Sequence, residues 1–369
     1  MQRAIVDGFA QDRFAKVREA FQTNLDSGVD LGASFCATLE GETVVDLWGG
    51  FADEARTRPW ERDTIVNVYS TTKTMTALVA LLLADRGDLD FDDPVARYWP
   101  EFAAAGKSDV KVSHLMSHSA GLASWTEPLA KEDLYDWDKV TALLAAQSPS
   151  SSPGARPAYH AITQGYLVGE VVRRITGKSL GTVFREEIAE PLGADFHIGL
   201  PASEDARVAD LVPPEPQPGA PLGNPAIDVL DTRTRAWRGA EIPAAGGTGN
   251  ARSVAQVHVM LANGGVAQGK RFLSEAGCRR ALELQVEGQD SVLGIPARYG
   301  LGFGLAGGVT PLPNPNTIFW GGWGGSLVLI DMDARTTIAY VMNRMASTTT
   351  GDMRAFGLAM PLWEALDLI

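Results

Sequence analysis

The stretch Val66-Asn67-Val68-Tyr69-Ser70-Thr71-Thr72-Lys73 leads into an apolar run that continues past Leu78 at helical spacing. Ser70 and Lys73 are three apart, so on a helix both side chains leave from one side. A serine at a helix start has an unpaired backbone N–H beside it and a local dipole that favours negative charge. A lysine next to it can take the serine proton if burial keeps the amine neutral. The chemistry on offer is attack by the Ser70 hydroxyl on an acyl carbon. A second S-x-x-K pair, Ser108 and Lys111, sits in a charged segment with no apolar helix behind it and is read as accidental.

A serine nucleophile without a histidine base needs another proton carrier. Tyr159, in Pro153-Gly154-Ala155-Arg156-Pro157-Ala158-Tyr159-His160-Ala161, follows a rigid Pro/Gly approach to a helical pattern. A phenol beside a cationic lysine can relay a proton. From residue chemistry alone a tyrosine packed at a helix start is the favoured reading, with the proton relay as the alternative. Phe319-Trp320-Gly321-Gly322-Trp323-Gly324-Gly325-Ser326 precedes a strand, and glycines there mark either close approach by a ligand or backbone, or a bulge. Gly177-Lys178-Ser179-Leu180-Gly181 matches G-x-S-x-G, but a nucleophile elbow needs a buried strand before it. The preceding residues 170–175 are helical in pattern, so Gly177 reads as a helix stop and Ser179 as the next N-cap. The Leu115 to Leu122 segment reads as a helix end whose histidine and serines satisfy nearby backbone. Glu241 to Gly247 reads as a plain turn.

Elements must hold these residues in place. Residues 9–25 are predicted to be an amphipathic helix, followed by a hairpin of 33–39 and 43–48. Residues 326–331 and 336–343 form a second hairpin, with a closing helix over 352–366. Strands at both ends predict one antiparallel sheet assembled from the two termini. Between them, helices are predicted over 71–86, 112–116, 138–147, 161–175, 180–188, 254–262 and 275–284. The expected fold class is α+β: a discontinuous sheet domain, 1–67 and 245–369, flanked by helices, and a mostly helical inserted domain, 68–244. A proline-rich stretch at about 201–248 is expected to be a long loop, of the kind that serves as lid or binding loop.

The chain has 369 residues, and its 45 acidic against 32 basic residues give a net charge of -13. That charge disfavours nucleic acid and anionic membrane surfaces as partners. Two cysteines, Cys36 and Cys278, make no disulfide framework, and five histidines show no zinc spacing with them. No metal or cofactor is implied. No apolar stretch reaches membrane-spanning length, and the first residues carry no secretory pattern, so a cytoplasmic location is expected.

Taken together, Ser70-Thr71-Thr72-Lys73, the Leu115 to Leu122 segment, Tyr159-His160-Ala161 and the Trp320-Gly321-Gly322 strand come in a recognisable order. The sequence resembles the serine hydrolases of the class C β-lactamase and penicillin-binding-protein fold, most closely the family VIII carboxylesterases, over nearly its whole length. The resemblance implies a β-lactamase-like fold with Ser70 as acylated nucleophile. Lys73 and Tyr159 would share the proton work, and which of the two is the base stays open. Trp320-Gly321-Gly322 would replace the lactamase K-T-G strand, and the N–H groups of Ser70 and Trp323 would form the oxyanion hole.

Two departures bear on substrate. Ala161 stands where lactamases have an asparagine that grips an acylamino side chain. Trp320 stands where they have a lysine that pairs with a substrate carboxylate. Both favour neutral esters over β-lactams and peptide C-termini. The pocket is expected between the sheet and the helical part, with Trp125, the proline-rich loop and Trp237 as walls of an apolar acyl site. The expected activity is a metal-free serine carboxylesterase acting on small or short-chain esters through an acyl-enzyme. The alternatives are a β-lactamase, D-peptidase, amidase or acyltransferase on the same site, or a catalytically silent ligand sensor.

Overall fold

The computed structural model describes residues 5–215, 223–308 and 310–369. Nine antiparallel strands form the main sheet: β1 Val6–Ala10, β2 Gly32–Leu39, β3 Glu42–Gly50, β4 Val286–Gln289, β5 Pro296–Tyr299, β6 Gly304–Leu305, β7 Thr317–Gly321, β8 Leu327–Asp331 and β9 Thr336–Met342. Their order is β1-β3-β2-β9-β8-β7-β6-β5-β4. The two hairpins read from sequence are present, and β2 pairs with β9 from Leu39↔Thr336 to Ala33↔Met342. That pairing joins the two ends of the chain in one sheet, as expected.

Alternation along β2 and β9 explains why both strands are buried on both faces. On one face, the Thr38 and Thr337 hydroxyls meet at 2.6 Å and Thr337 reaches the Ala255 carbonyl at 3.2 Å, on helix α6 Ala251–Ala262. On the other, the Tyr340 hydroxyl donates to Asp30 at 2.5 Å, and Asp30 pairs with Arg354 at 2.9 Å. Arg354 belongs to the closing helix α7 Met353–Ala365, which packs against α1 Ala15–Ser27.

The other helices that position the site are α2 Thr72–Asp85, α3 Trp137–Ala146, α4 Thr163–Thr176 and α5 Leu180–Phe184. Helix α2 is buried from Thr72 to Leu83 and the chain turns away at Gly87, whose φ of +81° suits glycine. Burial of its leucines at roughly 2 kcal/mol each makes this helix a main support of the fold. Gly177 ends α4 in the left-handed conformation at φ +71°, and Ser179 caps α5 by accepting the Thr182 N–H at 3.3 Å. Residues 170–175 are therefore helix, and the elbow reading of Ser179 has no strand to stand on.

Three expectations need correction. Residues 9 and 10 belong to edge strand β1, and the first helix begins only at Ala15, because pairing with β3 overrides the apolar spacing. Strands β4 to β6 extend the sheet beyond β7, where none was expected. The proline-rich stretch is more fixed than a free loop: Ala209 N–H donates to Ile65 O at 2.8 Å and Val212 N–H to Asn343 O at 2.7 Å. It also carries the short helix Arg235–Gly239. The part of that loop at 216–222 lies outside the described residues.

Candidate active site

Ser70 sits in a single 3-10 turn, Tyr69–Thr71, at the head of α2. Side chains lock this turn from below. Asn67 Oδ1 accepts the Tyr69 N–H at 3.1 Å while Asn67 Nδ2 donates to Ala245 O at 3.1 Å. Thr72 Oγ1 donates to Tyr69 O at 2.5 Å, and Tyr69 takes a φ of +43°, strained for a non-glycine residue. The Ser70 N–H donates to no acceptor among the described residues, as the first N–H groups of a helix must unless capped.

Lys73 is fully buried one turn on, its Nζ 3.1 Å from Ser70 Oγ. The same Nζ donates to the carbonyls of Ala161 at 2.7 Å and Ala244 at 2.9 Å. Burial pushes the Lys73 amine well below its ordinary value. A neutral amine has two N–H bonds, and two carbonyls take them. Its lone pair is then left facing Ser70.

The Tyr159 hydroxyl lies 2.6 Å from Ser70 Oγ, and the Lys73 Nζ lies 4.9 Å from the Tyr159 ring centroid. Burial raises the phenol above its usual range, against the opposing effects of its hydrogen bond to Ser70 and of the nearby Trp320 indole N–H. That N–H makes no hydrogen bond of regular geometry among the described residues. Helix α4 starts at Thr163, so Tyr159 precedes it in irregular chain. His118, at φ +57°, accepts the Ala158 N–H on its carbonyl at 2.8 Å and the His160 N–H on Nδ1 at 3.1 Å. The 115–122 segment thus does satisfy backbone, and the backbone it satisfies is that of the two residues flanking the tyrosine.

On the opposite wall, Trp320 stacks on His118 with centroids 5.2 Å apart. Gly322 passes so close to the nucleophile turn that a Cβ there would lie 2.2 Å from the Val68 carbonyl oxygen and 2.2 Å from Ser326 Oγ. Ser326 Oγ itself donates to Val68 O at 2.8 Å, and the Thr71 hydroxyl lies 2.9 Å from it. The glycines therefore mark close backbone approach. Trp323 follows, half-buried, with its ring 5.1 Å from that of Tyr69, and its N–H has no acceptor among the described residues.

Two tryptophans were expected to wall the pocket. Trp125 is buried, with its indole N–H on Val140 O at 2.9 Å and its ring edge-on to Tyr166. Trp237 is also buried but lies beside the nucleophile, edge-on to Tyr69 at 6.3 Å. A cavity of about 530 Å³ adjoins Trp320 and Gly321, with Leu293, Ile295, Leu305 and Phe319 among its walls. Sequence reasoning also missed the 241–247 segment as part of the site. It is no plain turn, since its carbonyls receive Lys73, Asn67 and Thr76. Backbone carbonyls carry no residue-type signature, so no sequence signal could have found them.

Fold and side chains together define the class, a serine hydrolase of the β-lactamase fold. The beta-lactamase family model matches residues 17–359, and the chain belongs to that family. A solved structure described as a family VIII carboxylesterase is 44% identical, covering 98% of this chain and 100% of that one with a TM-score of 0.93. A penicillin-binding protein homologue from Caulobacter crescentus is 39% identical over 98% of this chain and 100% of that one, with a TM-score of 0.91. The esterase/beta-lactamase LipL of Mycobacterium tuberculosis is 36% identical over 367 residues, 93% of this chain and 84% of the relative. The protein is a serine ester hydrolase. No helix among the described residues is long and apolar enough to cross a membrane.

Proposed function

We propose that the protein hydrolyses small or short-chain carboxylic esters through an acyl-enzyme on Ser70. The observation that carries this reading is the double contact of Ser70 Oγ, with Lys73 at 3.1 Å and Tyr159 at 2.6 Å. Lys73 acts as base, because burial favours its neutral amine, whose lone pair is then free for the serine proton. As Ser70 Oγ bonds to the acyl carbon, the proton passes to Lys73, and the new ammonium lies against the Tyr159 ring. Collapse of the tetrahedral intermediate breaks the carbon–alkoxy bond, and Tyr159 hands a proton to the departing alkoxide while drawing one from Lys73. Water then attacks the acyl carbon by the reverse proton path and frees the acid. The N–H groups of Ser70 and Trp323 receive the oxyanion, and losing one such donor typically costs ~10²–10³ in rate.

Neutral esters suit this site because Trp320 offers a ring rather than a cation and Ala161 only a methyl group. The name of the LipL relative raises β-lactam hydrolysis as a second activity, expected to be slower than ester turnover here. The test is turnover of p-nitrophenyl acetate, p-nitrophenyl butyrate and nitrocefin by wild type and by Ser70→Ala. Ester turnover abolished in folded Ser70→Ala supports the reading, and nitrocefin hydrolysed faster than either ester overturns it.

A further inference from the structure

Tyr159 lies in irregular chain between Pro157 and the start of α4, so neither helix nor strand fixes its phenol. Its backbone N–H donates to Oδ1 of Asp290 at 3.2 Å. The same oxygen accepts the N–H groups of Val292 and Leu293, each at 2.8 Å, and Oδ2 accepts the Tyr299 hydroxyl at 3.0 Å. Asp290 is fully buried, and no cation pairs with it among the described residues. A carboxyl group so placed is unfavourable unless donors fill its lone pairs, and here four donors do.

The contacts continue to the phenol's neighbours. The Tyr299 ring packs 5.2 Å from His118 and 5.5 Å from Trp320, and those two rings lie 5.0 Å and 5.9 Å from that of Tyr159. The loop after Asp290 reaches back as well, with the Ser291 N–H on Pro157 O at 3.1 Å. Residues 157–160 are thus pinned between His118 on one side and the 290–291 corner on the other.

We propose that Asp290 is a positioning residue for the reaction, holding the Tyr159 phenol on Ser70 through the Tyr159 backbone and, by way of Tyr299, through the rings around it. The inference rests on the proton-carrying role proposed for Tyr159. A displacement of about 1 Å at a reacting group can lower a rate ~10²-fold.

The experiment is a double-mutant cycle on p-nitrophenyl acetate with wild type, Asp290→Asn, Tyr159→Phe and the double variant, each checked for folding by thermal melting. Asp290→Asn is expected to lower kcat roughly tenfold to hundredfold with KM within about threefold. In the Tyr159→Phe background the same change is expected to lower kcat less than about threefold, since an absent hydroxyl cannot be misplaced. Wild-type kcat in folded Asp290→Asn overturns the inference, and so does an equal loss in both backgrounds, which would mark a purely structural carboxylate. Should Asp290→Asn fail to fold, the same cycle with Tyr299→Phe decides, because it removes one donor and keeps the ring. Full activity in Tyr159→Phe alone overturns the reading of the site along with the role of Asp290. A dead Tyr159→Phe beside a fully active Asp290→Asn overturns only the latter.

Discussion

Lys73 is the residue on which the assignment of roles turns. An ammonium needs three acceptors and would spend one N–H on Ser70, leaving that oxygen poorly placed to lose its own proton. The neutral amine fits the same three contacts with the last one reversed, so that Ser70 donates. Lys73→Met is therefore expected to lower kcat by ~10²–10⁴, the range for loss of a positioned base. It also strands the Ala161 and Ala244 carbonyls, each at about 1–3 kcal/mol if left unsatisfied, so the melting temperature is expected to fall in the same variant. The pH profile checks the charge state independently. Burial favours the neutral amine, so protonation that disables the base occurs only as pH drops through the lowered Lys73 value. In ester turnover, kcat/KM is expected to rise with the slope of one proton and to level off well below the ordinary lysine range. A rate that keeps climbing towards the ordinary lysine range would assign the base elsewhere.

At the scale of elements, the site depends on how closely β7 can approach the head of α2. Gly322→Ala would put a methyl group onto the Val68 carbonyl and Ser326 Oγ, both at 2.2 Å, and only a shift of the strand can relieve that. The shift carries Trp323 N–H away from Ser70, so kcat is expected to fall ~10²-fold or more, measured on p-nitrophenyl acetate, while far-UV circular dichroism stays as in wild type. Ser179→Ala makes the contrast. It removes an N-cap and a 2.6 Å bond to Glu241, at about 1 kcal/mol in urea unfolding, and should leave kcat unchanged. Helix α2, both hairpins and the Ser70–Lys73 pair were legible because each announces itself in local pattern: apolar spacing, alternation, or three-residue separation. Strands β4 to β6 were not, being two to four residues long and interleaved with Gly and Pro, so that pairing rather than pattern makes them strands. Edge strand β1 hid behind a helical spacing for the same reason. Asp290 stands in Gln289-Asp290-Ser291 with nothing local to separate it from any surface aspartate.

Over the whole molecule, the helical and sheet parts share one hydrophobic core running from Val6 to Trp363, and that core encloses imidazoles. His160 and His258 are both fully buried, and burial lowers each to about 4 from the usual 6.5; His118, beside Trp320, is pushed down as well. In the unfolded chain these rings take up protons near pH 6.5, whereas in the folded protein burial holds His160 and His258 neutral until about pH 4. Below the unfolded value the unfolded state binds more protons, so folding stability falls as pH drops, and the stability from each ring is fully present only above that value. For a shift of this size the loss is on the order of 3 kcal/mol per ring across that window. His258 isolates the effect from catalysis, because it lies on α6 against Phe303 with Nδ1 bonded to Val254 O at 2.7 Å and Nε2 without a partner among the described residues. His258→Leu removes that titration and an orphaned polar atom together. Urea unfolding of the variant and wild type at intervals from pH 8 to 4 is expected to give curves that separate progressively below pH 6.5, with the variant losing less stability by about one proton's worth of slope. Parallel curves over the whole range would mean that the ring is protonated alike in folded and unfolded chains, and the acid sensitivity would then lie with groups other than His258.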